Sequence, residues 1–308
     1  MATAWAHTPP EILLPLLVLA SLYALGWSRL SRRARPSRSA RRPAFTLVGF
    51  AALVVALLSP LDQLADRLFA AHMVQHMLLI MVAAPALLLA DPFPIIAWAL
   101  PHAWRLRIAR WITRASTAGR VWRAATAMAP AWILSACILW IWHIPPAYDA
   151  ALAHRWLHHL EHVSFFLGAV LFWWPVIHPA PHYRRGASYP ARVVYLVLGA
   201  FQTAALGLLI TLAPRVLYRS YAGGPTALED QTWGGVVMWG VGGAVDMLAV
   251  LIVLYAALES GSPAPPAAGG GAGRRSENRR TADERVFAAA PRPSPRDRGA
   301  GDPDPRAA

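Results

Sequence analysis

The chain has 308 residues, is 56% hydrophobic and only 15% charged, and carries a net charge of +13 from 29 arginines and no lysine. That composition excludes an ordinary soluble domain, and the lone Cys137 excludes an internal disulfide or a CxxC redox pair. In a soluble protein this basic excess points to nucleic acid; here the arginines fall in short loops between apolar runs, where they set topology instead.

Seven apolar runs are read as membrane spans; about 20 residues cross a bilayer. The first, about Glu11 to Trp27, follows no basic stretch and precedes no small-residue cleavage site, so it is read as a retained helix. Seven arginines from Arg29 to Arg42 place the next loop in the cytoplasm and the N-terminus outside. The second span, about Phe45 to Leu58, is short and ends at Ser59-Pro60.

An outer connection with Asp62, Gln63 and Asp66 leads into the third span, about Leu68 to Leu89, which Pro85 is expected to kink. Asp91-Pro92-Phe93-Pro94 breaks it, and Ile95 to Leu100 reads as a short interfacial piece. Six arginines from Arg105 to Arg123 mark an amphipathic cytoplasmic segment. The fourth span, about Pro130 to Ile144, closes on Trp140, Trp142 and His143, and the paired tryptophans fit an interfacial belt. Cys137 on it is expected to be a buried thiol.

An outer loop with Tyr148, Asp149 and His154 precedes the fifth span, about His158 to Val176. Arg184, Arg185 and Arg192 mark the third cytoplasmic loop. The sixth span is about Val193 to Leu212 and the seventh about Trp233 to Leu258. Gly234, Gly235, Gly240, Gly242 and Gly243 on the last span are expected to let neighbouring backbones approach. The fold expected is therefore all-α: residues 1–258 as a transmembrane bundle of seven spans, N-terminus outside and C-terminus cytoplasmic. Residues 259–308, rich in Arg, Pro and Gly, are expected to form a disordered tail beside the anionic leaflet of the lipid bilayer.

This topology puts eight of eleven histidines on the outer side. His72 and His76 stand one helical turn apart at the head of the third span, and Met73 and Met77 repeat that spacing. His143 ends the fourth span, and His158, Glu161 and His162 open the fifth. Imidazole and thioether together suit copper, Cu(I) above all. Met238 on the last span and Cys137 are further candidate soft ligands, and Asp246 is an unexplained intramembrane carboxyl. His7, His154 and His159 are read as ordinary interfacial residues. A structural hydrogen-bond cluster is the competing account of the other histidines. A zinc hydrolase is disfavoured, because His158-His159-Leu160-Glu161-His162 is not in HExxH order, and no catalytic nucleophile is specified.

The series His72-Met73-x-Gln75-His76-Met77-Leu78-Leu79, Trp142-His143-x-Pro145, His158-x-x-Glu161-His162 and Phe172-Trp173-Trp174-Pro175 resembles the seven-helix CtaG family of cytochrome c oxidase assembly factors. Asp230-Gln231-x-x-Gly234-Gly235-x-x-Met238-Trp239 resembles that family's last helix. The resemblance covers about residues 10 to 258 and departs at Ala90-Asp91-Pro92, where the family more often has Gly before its Pro. It implies a non-enzymatic role in heme-copper oxidase biogenesis in a bacterial plasma membrane, with copper supply as its mechanism. An oxidase subunit and a periplasmic copper chaperone are the implied partners. The metal ligands implied are His72, His76, His143, His158 and His162, with Met73, Met77 and Met238 as soft ligands. Three other functions stay open: a b-type cytochrome with axial heme ligands, an inward copper transporter, and a metal-free scaffold.

Overall fold

The computed structural model describes residues 10–32, 41–111, 116–180 and 186–261. The expected tail, apart from its first three residues, lies outside the described residues, as do His7, His182 and several loop arginines. Among the described residues every regular element is helical. In chain order these are α1 (Pro10–Ser31), α2 (Arg41–Leu58), α3 (Pro60–Ala65), α4 (Phe69–Leu89), α5 (Pro92–Ala99) and α6 (His102–Trp111). There follow α7 (Thr117–Ala125), α8 (Met128–Trp142), α9 (Pro145–Ala153), α10 (Arg155–Ile177), α11 (Tyr189–Thr211) and α12 (Ala227–Ser260).

Six of these helices are long and apolar enough to cross a membrane: α1, α2, α4, α10, α11 and α12. A seventh span exists only if α7 and α8, bent by 71° at their junction, count as one. The protein is a multi-pass helical membrane protein. Two segments expected as loops are short helices instead. Ser59 caps α3, its hydroxyl accepting from the Leu61 N–H, with Pro60 at the first helical position. Pro145 and Pro146 likewise open α9.

The bundle is built around α4. It packs against α2, α3, α10 and α12, and 67% of its most apolar stretch is buried, against 11% for α1. Its N-terminus has no side-chain cap of its own. The Asp230 carboxylate of α12 supplies one, accepting the N–H groups of Phe69 and Ala70 at 2.6 and 3.1 Å. A carboxylate at that end also opposes the positive pole of the helix dipole. Gln75 holds the other side, its amide donating to Ala56 O at 2.7 Å and to Asp62 Oδ1 at 2.8 Å. Burial raises the Asp62 pKa, an effect the Gln75 bond opposes.

In place of the expected kink, α4 runs on as one span and carries a π-turn over Leu78–Ala83, just before Pro85. The Ala84 N–H bonds the Leu79 carbonyl, five residues back. The next such pair would join Ile80 to Pro85, which has no N–H, so the Ile80 oxygen is orphaned. The Trp173 indole N–H of α10 donates to it at 3.0 Å. Trp173→Phe keeps the ring bulk and removes the donor. It is expected to cost about 1–3 kcal/mol, read as a lower unfolding midpoint in detergent; an unchanged midpoint would show that the indole is not needed there.

Around this centre, α1 docks on α5. A Cβ on Gly26 would collide with the Ile95 carbonyl oxygen, and Arg29 donates to Ala99 O at 2.7 Å, satisfying the end of α5. Asp91 adopts a left-handed φ of 52°, a conformation that Gly takes freely and Asp tolerates. Its carboxylate anchors the turn through Arg42 at 3.1 Å and the Ala180 N–H at 3.0 Å, which accounts for the departure at Ala90-Asp91-Pro92. Two expectations need correction. Cys137 is an exposed thiol, on the side of α8 away from the core. Of the five glycines of α12, Gly240 and Gly243 meet nothing within 4 Å.

Candidate metal centre

His72, His76, His143, His158 and His162 come together in one cluster. His72 and His76 project from the first turns of α4, where Asp230 and Gln75 set the height of the helix. His158 and His162 lie one turn apart on α10, with ring centroids separated by 4.3 Å. The His72 ring is 5.2 Å from His158 and 5.9 Å from His162, and the His76 ring is 5.4 Å from His162. His143, at the end of α8, stands at the margin, 6.5 Å from His76. His72, His76, His143 and His162 are all buried, and His158 is half-buried.

Glu161 completes the group. Its carboxylate is buried, with oxygens 3.8 Å from the Nε2 atoms of both His72 and His76. Two triads bring one ligand atom each to within 4.8 Å of one another: His72, His76 and His162, and His72, His158 and Glu161. His72 belongs to both.

Tautomers follow from the surrounding hydrogen bonds. Burial pushes the Tyr221 phenol well above its usual pKa, so it stays a neutral hydroxyl. Its one proton goes to Ala65 O at 2.6 Å. The contact at 3.0 Å to His72 Nδ1 is then donated by His72, which leaves Nε2 with its lone pair, turned toward His76 Nε2 at 2.9 Å. His143 Nδ1 donates to Leu139 O at 2.7 Å, leaving its Nε2 with a lone pair as well. Outer hydrogen bonds of this kind orient histidines as metal ligands. Tyr221 is placed in turn by Asp149 of α9, which accepts from the Ser220 N–H and hydroxyl at 3.0 and 2.8 Å.

The cluster is rich in unpaired groups. His76 Nδ1, the Nε2 atoms of His143, His158 and His162, and both Glu161 oxygens are buried without a hydrogen-bond partner. Native interiors pair nearly all such atoms, so six in one place need an explanation. An ion accounts for several of them at once: three imidazoles and a carboxylate are a common donor set for borderline transition metals.

The methionines face elsewhere. Met73, Met77 and Met238 lie in the apolar core. Met73 packs against Gly234 and Met77 against Gly242, both on α12. His154 is exposed, and His159 faces Glu11 of α1 at 3.7 Å. Tyr221 is the supporting residue the sequence did not reveal. It sits 149 residues from His72, and no local spacing connects them.

A buried nest of histidines and a carboxylate inside a multi-pass helical bundle defines a membrane protein built around a polar, ion-compatible centre. Residues 21–260 match the family described as cytochrome c oxidase caa3 assembly factor, Caa3_CtaG, and the chain belongs to that family. Among curated proteins and solved structures, none matches the chain.

Proposed function

We propose that this cytochrome c oxidase assembly factor binds copper at the His/Glu cluster and passes it, as cargo, to an oxidase subunit. The observation that carries the reading is the convergence of unpaired buried nitrogens and carboxylate oxygens from α4, α8 and α10. The donor set alone suits copper, zinc and iron; an assembly role toward a heme-copper oxidase selects copper. Ring separations of 4.3 to 6.5 Å favour one small ion over a macrocycle held between axial ligands. The bias of the loop arginines supports an extracytoplasmic position for the cluster, and the oxidase-assembly role supports a bacterial plasma membrane. There a periplasmic chaperone supplies the ion. The role is binding and handover, not catalysis.

The test is complementation in cells lacking the chain. The expected result is an oxidase that retains its heme but is depleted in copper, restored by the wild-type chain or by excess copper in the medium. A copper-replete oxidase in those cells would remove the supply role. On the protein itself, Tyr221→Phe frees the His72 tautomer without touching a ligand. It is expected to weaken copper binding about 10- to 100-fold, measured by competition with a chelator, while the helical circular dichroism signal is unchanged.

A further inference from the structure

The turns of α4 that follow His76 line a second pocket inside the bundle, mostly apolar but with a buried carboxyl in its wall. A cavity of about 50 Å³ lies between α4, α8, α10, α11 and α12. A water needs roughly 10–15 Å³ measured this way, so a small ion with one or two waters fits. Most of the wall is apolar. The exceptions are the thioethers of Met77 and Met81, the side chains of Ser135, Gln202 and Thr203, and Asp246.

Three observations mark this pocket as built for a ligand. Asp246 is only 1% exposed, and its Oδ1 has no hydrogen-bond partner. Gln202 Oε1 is likewise buried and unpaired. The ends of the two methionine side chains approach one point of α12, with Met77 Sδ 3.8 Å and the Met81 methyl carbon 3.6 Å from where a Cβ on Gly242 would stand. Asp246 follows Gly242 by one helical turn and shares its face.

We propose that this pocket is a second, deeper site for a soft monovalent cation, Cu(I), with Met77 and Met81 as ligands and Asp246 as the neutralising charge. Hard cations such as Ca²⁺ or Mg²⁺ need six or more oxygens in ordered geometry, which these walls do not offer. Thioether sulfur selects Cu(I), which is content with few ligands. A monovalent ion beside one carboxylate is neutral overall, the condition under which buried charge is tolerated. The Gln202 carbonyl oxygen stands ready as a further weak donor. The identity of the ion rests on the copper reading of the histidine cluster, but the ligands are different residues.

The test is X-ray absorption at the copper edge on the full chain, purified with selenomethionine and loaded anaerobically with Cu(I). The expected result is two ions per chain, with copper–selenium scattering that persists in His72→Leu/His76→Leu, where one ion remains. Met77→Leu/Met81→Leu is expected to retain one ion and to lose the selenium signal. Should that double variant not fold, Met81→Leu alone is expected to halve the selenium coordination. Wild-type protein without copper–selenium scattering overturns the site, as does a selenium signal that survives loss of both methionines. Failure of the histidine reading looks different: the imidazole signal is absent while the selenium signal stands.

Discussion

Replacing both His72 and His76 with leucine is expected to lower copper affinity at the cluster at least about 1,000-fold, because each imidazole supplies a ligand and His72 belongs to both triads. The metal-free variant is expected to unfold at the same temperature as wild type or above it. Leucine fills much of the volume of the ring, and the substitution removes the unpartnered His76 Nδ1 and two imidazoles from beside the buried histidines of α10. A cluster held together by hydrogen bonds between its histidines predicts the reverse, since His72 and His76 are in contact at 2.9 Å and would lose that bond. Thermal unfolding with and without Cu(I) separates the two accounts. At about 100-fold excess over the dissociation constant, wild type gains roughly 2.7 kcal/mol, and the variant gains nothing at this site.

The second large effect concerns the crossing of α11 and α12. A Cβ on Gly235 would stand 2.7 Å from Gly207 O and 2.8 Å from Thr211 N, both backbone atoms that no rotamer change can move. Small residues at such crossings let membrane helices pack closely. Gly235→Val forces the two helices apart and pulls on Asp230, whose carboxylate caps α4. Overpacking of this kind costs about 1–3 kcal/mol or more, and the upper end is expected here. Gly243→Ala is the control. Nothing lies within 4 Å of its Cβ, and Ala in a helix gains about 0.5–1 kcal/mol over Gly. Equal unfolding midpoints for the two variants would refute the close-crossing argument.

Much of this architecture is legible in the chain because a membrane span needs only length and apolarity, both linear properties. The fourth span is read from the same apolarity, but α8 has 15 residues and counts as a span only together with the bent α7. The cluster was legible for a related reason. His72 and His76, and His158 and His162, each repeat at one helical turn, and periodicity shows that a pair shares a face. It does not show what the face meets. The same spacing in Met73 and Met77 pointed to sulfur beside the histidines, yet one residue is about 100° of rotation on a helix. That rotation turns both methionines toward α12. Asp230, Gln75 and Trp173 belonged to the recognisable motifs without a visible purpose. Their roles, a cap from another helix, a tether, and a donor to an orphaned carbonyl, are contacts between distant residues. Cys137 was expected inside because an apolar run gives no sign of which side faces out.

The measurement that bears most directly on the central claim is the coordination of copper retained by the purified full chain, read by X-ray absorption beside an optical spectrum of the same sample. The account predicts bound copper with imidazole scattering, no heme band, and loss of the imidazole signal in His72→Leu/His76→Leu. Protein that retains no copper after anaerobic loading, or copper without imidazole neighbours, would contradict it.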